Sequence, residues 1–232
     1  MKSFQVFLIA IFLSTAAVAQ VPSRGVSDQM DYYGNPLPMK TTIPYDEVKG
    51  SPYHNEKLRR ATIVLSDGDT LIRYMRYNAY TDEMEYVQNN KIMALSNPEE
   101  VDAVLLNELV YRSRSYITQR EVKRGFFIEL VDGDASLFRH DLVEYKAAEN
   151  PKTSYHQPVP ARFESIKPVY YYSRQSAILK EFYNTHYVLS DLFRSDQDTF
   201  LRYIQDEKLK LRKEEDLVQL FKYMNSIGGT YD

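Results

Sequence analysis

Cysteine and tryptophan are both absent from the 232-residue chain, and glycine occurs only 8 times. Without cysteine there is no disulfide, thiolate metal ligand, cysteine nucleophile or iron–sulfur cluster, and no lipid anchor on an N-terminal cysteine. An excess of positive charge is also missing. The 29 basic residues face 32 acidic ones for a net charge of -3, which is not the footprint of a protein that tracks nucleic-acid phosphates. Neither G-x-G-x-x-G nor G-x-x-x-x-G-K-[ST] occurs, so no nucleotide-phosphate cradle is encoded. G-x-S-x-G and H-E-x-x-H are lacking too, and His54, His140, His156 and His186 are scattered. Serine catalysis, a histidine zinc site and a bound cofactor therefore have no support.

What is present begins with an export signal. Lys2 precedes the apolar run Val6 to Leu13, and Ala17-Val18-Ala19 is a small-x-small cleavage site, so residues 1–19 read as a signal peptide. That run is too short to span a bilayer, and no later run approaches the roughly 18 apolar residues a membrane helix needs. The expected mature chain starts at Gln20, without a transmembrane segment, in the periplasm or associated with the outer membrane. Export argues against partners confined to the cytoplasm, such as ATP, nicotinamide cofactors and genomic DNA. It also means that an exported domain without disulfides is held by core packing alone.

Prolines divide the rest. Pro22, Pro36, Pro38, Pro44 and Pro52 mark residues 20–52 as an extended arm, and Pro151, Pro158, Pro160 and Pro168 mark residues 149–168 as a linker. Between them, residues 53–148 read as an antiparallel β domain. Ala61 to Leu65 and Leu71 to Asn78 flank an Asp67-Gly68 turn, and Phe126 to Val131 and Ser136 to Tyr145 flank an Asp132-Gly133 turn. Glu85 to Val87, Ile92 to Leu95, Val101 to Leu106 and Leu109 to Arg114 supply further strands, with Pro98-Glu99-Glu100 able to open a short helix. Residues 169–232 read as short strands (Val169 to Ser173, Ile178 to Phe182) and then helices. Ser195 and Asp196 offer N-caps, Phe200, Tyr203 and Ile204 share one helix face, and Leu217, Leu220, Phe221 and Met224 form a second stripe ending at Gly228-Gly229. The expected fold is α+β: an antiparallel β-sheet, a meander or partly closed barrel, followed by a C-terminal helical segment.

Three segments resemble a group of uncharacterised exported proteins of Bacteroidota: Gly50-Ser-Pro-Tyr-His-Asn55, Arg76-Tyr-Asn-Ala-Tyr-Thr-Asp-Glu-Met-Glu-Tyr86, and Tyr203 to Leu217 running on to Asn225. The second is the most distinctive, and Val101 to Tyr155 matches only loosely. The resemblance implies an envelope protein of a Gram-negative bacterium and supplies no activity.

Candidate chemistry concentrates in Arg76, Asn78, Tyr80, Asp82, Glu83 and Glu85. Asp82 and Glu85 can be imagined as the acid/base pair of a glycan hydrolase, which requires one carboxyl of raised pKa and hence partial burial. The preferred reading is a strand–turn–strand in which Arg and Asn secure the turn through backbone carbonyls. The one basic cluster is Arg112, Arg114, Arg120, Lys123 and Arg124. Arg112 and Arg114 share a strand face and suit an anionic glycan or lipid headgroup, although a solvated face with edge-protecting charge is preferred. The Asp-Gly-Asp turns at 67–69 and 132–134 lack the ligand spacing of a calcium loop and read as hairpin turns. Among 20 tyrosines, Tyr170-Tyr171-Tyr172 read as amphipathic strand packing rather than a sugar platform. Asp69-Thr70-Leu71 resembles the O-glycosylation acceptor of exported Bacteroidota proteins, with Thr70 as the acceptor. The function expected is a non-catalytic structural or interaction module whose partner is an envelope protein or glycan. The arm and the Tyr-rich strands are its contact surfaces. A carboxylate glycan hydrolase and a β-barrel binder of a small apolar or sugar ligand are the alternatives.

Overall fold

The computed structural model describes residues 48–89, 91–95, 98–118, 121–149, 157–174, 176–183, 185–192 and 197–227. The signal peptide, most of the arm, Arg120, His156, the Ser195-Asp196 cap and Gly228-Gly229 lie outside the described residues.

The first hairpin forms as its alternation predicts. β1 (Arg59–Leu65) turns inward Ala61 and Ile63, and β2 (Thr70–Asn78) turns inward Met75 and Tyr77. Gly68 takes φ +91° at the turn, and Asp67 accepts the Asp69 amide at 3.0 Å. β3 (Glu83–Gln88) and β4 (Lys91–Ala94) continue outward from β2. The chain then returns through a short 3-10 turn at Pro98–Glu100, and β5 (Val101–Leu106) pairs with the other side of β1. The order is therefore not a simple meander: β1 ends up central, between β2 and β5.

From β5 the sheet runs through β6 (Leu109–Ile117), β7 (Val122–Val131) and β8 (Ala135–His140). The expected single strand from Ser136 to Tyr145 is broken at Asp141-Leu142, after which β9 (Val143–Lys146) leaves the main sheet. It pairs with β10 (Arg162–Ser165), a strand inside the segment expected to be a linker. Only one large apolar residue, Phe163, turns inward from β10, with Pro160 and Pro168 close by, so no alternating run announced it. Lys49, at the end of the expected arm, bridges Arg162, and the buried Pro52 accepts the Ala79 amide.

β11 (Val169–Arg174) returns beside β8, and β12 (Ile178–Glu181) lies antiparallel to β11 and parallel to β6. That last pairing closes a ring of β6, β7, β8, β11 and β12, so the partly closed barrel is realised within a ten-stranded sheet. β7 bends to allow it, with a register shift between Glu129 and Val131. Phe127, Phe138, Tyr171 and Leu179 fill the ring.

β6 changes neighbours midway. Leu109 to Arg112 pair with β5, whereas Ser115 and Tyr116 pair with β12, so the sheet forks at Ser113-Arg114. The Ser113 carbonyl, at the fork, is instead bonded by Arg114 Nη1 at 3.2 Å and Arg124 Nη2 at 3.3 Å.

Among the described residues three helices pack on the outer side of the ring, against Leu137 and Tyr172: α1 (Thr185–Leu192), α2 (Gln197–Asp206) and α3 (Glu214–Ile227). Leu217, Leu220, Phe221 and Met224 are all fully buried with Leu137 and Tyr172. Phe200 is fully buried too, with Tyr203 and Ile204 partly so. The acidic first turn of α3 favours its dipole, and both oxygens of Glu214 accept Arg139 Nη1 at 2.8 Å. At its far end Asn225 accepts the Ala135 amide at 2.8 Å and donates to the Ala135 carbonyl at 3.0 Å. Gly133 makes room for it, since a Cβ there would lie 2.4 Å from Asn225 Nδ2.

Asn225→Ala should accordingly destabilise the chain by about 1–3 kcal/mol, the cost of stranding a buried amide and carbonyl. Gly133→Ala should do the same by steric conflict, and both are read as lowered midpoints in urea.

Candidate functional site

The 76–86 segment is a packed turn. Arg76 and Glu85 are directly opposed across β2 and β3, and Glu85 is completely buried. Its Oε2 accepts Arg76 Nε at 2.9 Å and the Tyr53 hydroxyl at 3.0 Å, while its Oε1 accepts Asn78 Nδ2 at 2.7 Å. Arg76 also donates to the Tyr53 oxygen at 2.6 Å, lies 3.8 Å over the Tyr53 ring, and donates to the Glu56 carbonyl at 3.2 Å. Asn78 Oδ1 accepts the amides of Tyr80 and Thr81, both at 3.1 Å, so it holds the turn through amides rather than carbonyls. Tyr80 points elsewhere, edge-on to Phe163 with ring centroids 5.2 Å apart.

Asp82 serves a different set of partners. With φ at +56°, it projects across to β7, where its Oδ1 accepts the Tyr77 hydroxyl at 2.7 Å and the Phe126 amide at 3.1 Å. Oδ2 lies 3.1 Å from His140 Nε2 and only 2.2 Å from where a Cβ on Gly125 would stand. Glycine is thus what lets the carboxylate reach one end of the ring. His140 is 1% exposed and packs at 4.3 Å from Phe127, with Tyr116 and Tyr171 edge-on. Sequence reasoning missed this residue, because a lone histidine far from Asp82 in the chain carries no local mark. Burial, and then Asp82, raise the pKa of Tyr77 well above its ordinary value.

Arg112 and Arg114 do share a face, as alternation predicts, but β6 is no edge strand: β5, β7 and β12 all pair with it. Edge protection is therefore not their role. Arg112 donates to Glu129 from Nε at 2.7 Å and from Nη2 at 3.3 Å, and its Nη1 bonds Asp102. Arg114 Nη1 reaches the second oxygen of Asp102 at 3.1 Å. The hydrogen bond to Glu129 raises the Arg112 pKa further. Of the rest of the basic cluster, Lys123 pairs with Glu121 and Arg124 Nε donates to Ser113 Oγ at 2.9 Å. Arg112, Arg114, Arg124, Asp102 and Glu129 border a cavity of about 480 Å³ whose walls come from β5, β6, β7, β8 and β11, from the Asp132-Gly133 turn and from Ser176 and Ala177 just before β12.

A second cavity, of about 470 Å³, lies beside Ile117, Lys180, Glu181 and the stacked, exposed pair Tyr183 and Tyr187. The 170–172 tyrosines diverge. Tyr171 enters the ring, Tyr172 is fully buried against the helices with its hydroxyl 3.0 Å from Asp191, and Tyr170 bonds Glu214. The 67–69 turn and Thr70 are exposed, and Asp134 of the other turn pairs with Arg174. Among the described residues no group of three or more His, Asp or Glu is placed to hold a metal ion, and no helix is long and apolar enough to cross a membrane. Searches against protein-family models, curated protein sequences and solved structures find no match to this chain.

Two outcomes follow from this geometry. Glu85→Gln should cost roughly 3 kcal/mol in chemical denaturation, because it leaves the Arg76 charge without its buried partner. Alkaline titration should also weaken the fold. Tyr111, Tyr170 and Tyr171 are pushed from 10.0 up to about 12, chiefly by burial. The folded state holds these protons more tightly, so that contribution is complete below pH 10 and is lost as pH rises toward 12. A fall in urea midpoint over this window, with tyrosinate absorbance rising on unfolding, checks it.

Proposed function

We propose that this chain is an exported, non-catalytic protein of the bacterial cell envelope that works through surface contact with another envelope component. The observation that carries the reading is an apolar face on the open half of the sheet that no described residue covers. Cross-strand register runs Leu105–Thr62–Ile72 and Val87–Ile92, with Tyr74 on the same side, paired to Arg60. Leu105, Ile72, Tyr74, Val87 and Ile92 are 41–64% exposed. Contiguous apolar surface of this kind is a mark of interaction sites. The face ends at β4, which among the described residues is the outer strand of the sheet order and offers a backbone edge for strand addition by a partner.

The carboxylates argue against a glycan hydrolase. Glu85 is buried and its oxygens already accept three donors, and Asp82 is engaged at Tyr77, Phe126 and His140. General acid/base catalysis needs a carboxyl with reach to a substrate proton. The aromatic filling of the ring argues equally against an apolar ligand lodged in its interior. The export signal and the resemblance to Bacteroidota envelope proteins supply the compartment.

A photo-crosslinking residue at Tyr74 should give a discrete adduct in intact cells, at least fivefold stronger than one at Lys222 on the helical face. Ile72→Ser with Val87→Ser should reduce that yield at least fivefold while shifting stability by no more than about 0.5 kcal/mol each. The intact mass should correspond to a chain beginning at Gln20. A chain retaining residues 1–19, or equal adducts at both positions, would overturn the proposal.

A further inference from the structure

The cavity at the mouth of the ring is not used by the contact surface just described. Its polar walls hold one another in place. Glu129, Arg112, Asp102 and Arg114 form a continuous chain of alternating charge, joined by the hydrogen bonds given above. Arg124 and Asp132 complete the charged lining, so three guanidinium groups face three carboxylates, their charges cancel, and a phosphate or sulfate meets as much repulsion as attraction.

Donor and acceptor capacity remains. A guanidinium has five N–H donors and a carboxylate oxygen two lone pairs, while Arg112 spends Nε, Nη1 and Nη2 once each on its two acids. Alternating donors and acceptors suit a hydroxyl group, which gives one hydrogen bond and accepts others. An anion satisfies only the donors, and an ammonium only the acceptors. Because the planar groups are fixed by each other, a ligand has little side-chain freedom to freeze. Phe138, part of the aromatic filling, also belongs to the wall and adds apolar surface beside the polar groups. The volume of about 480 Å³ falls in the usual range for small ligands, about 300–1,000 Å³.

We infer that the ring mouth is a binding site for a neutral saccharide of one or two rings, held by Asp102, Arg112, Arg114 and Glu129. The inference stands apart from the surface-contact function and survives its failure.

Cellobiose, maltose and chitobiose at millimolar concentration, followed by saturation-transfer NMR and calorimetry on the purified protein, test it. At least one should bind, inorganic phosphate should not displace it, and Arg114→Leu should weaken it tenfold or more. Ala177→Trp, at an exposed rim position, should block the mouth to the same extent with an unchanged melting temperature. That second variant decides the matter if Arg114→Leu folds poorly. Ile72→Ser, on the distant apolar face, should bind as wild type. Failure of all three disaccharides to bind, binding indifferent to Ala177→Trp, or displacement by phosphate would overturn the inference.

Discussion

Two residue pairs, Ile178 with Ser115 and Leu179 with Tyr116, join β12 to β6 in parallel, and much of the molecule depends on that seam. Without it β12 would be a four-residue edge strand, and Phe127, Phe138, Tyr171 and Leu179 would line an open trough. Closing it removes one of two sheet edges and turns one face of β6, β7, β8 and β11 into an interior. The opposite face of β8 and β11 is then free to seat the helices, which is why Leu137 and Tyr172 share a core with Leu217 and Phe221. A chain without disulfides needs this economy, and β8 and β11 meet it by packing on both sides, Phe138 and Tyr171 into the ring and Leu137 and Tyr172 under the helices.

The seam has a cost at Ser113-Arg114. β6 cannot pair with β5 and β12 over the same residues, so the sheet must divide and leave backbone groups to be satisfied otherwise. Arginine does this here: Arg114 and Arg124 bond the Ser113 carbonyl, while Asp102 and Glu129 neutralise Arg112 and Arg114. The cavity and its charged walls are thus consequences of one topological event. At another point on the ring the same logic recurs with opposite sign. Asp82 enters over Gly125 and offers an oxygen to the Phe126 amide. Both sites are polar because the strands that form the ring do not match along their whole lengths.

This separates what was legible in the chain from what was not. The Asp67-Gly68 and Asp132-Gly133 hairpins and the Leu217–Met224 stripe are local features, in which neighbours a few residues apart decide the outcome. They were readable, and with them the α+β class and the partial closure. β10 was not, because prolines around four residues with one inward aromatic look like a linker until Tyr80 and Tyr145 are known to pack on Phe163. The central place of β1 was hidden too, since β5 returns to it only after the whole β2–β4 excursion. His140 beside Asp82 depends on chain segments brought together only by folding.

The same separation explains why charged residues misled most. A strand face bearing Arg112 and Arg114 reads as basic from sequence, and the natural inference is an anion or a solvated edge. The acids that cancel those charges sit ten residues before Arg112 and seventeen after it, beyond any local pattern. Paired in this way the arginines lose their attraction for free anions but keep their directional donors, fixed in a plane. What changes between sequence and fold is therefore the chemistry a ligand would meet, although the residues are the same. A charged cluster becomes a neutral array of hydrogen-bonding groups, and specificity shifts from net charge to the geometry of donors and acceptors.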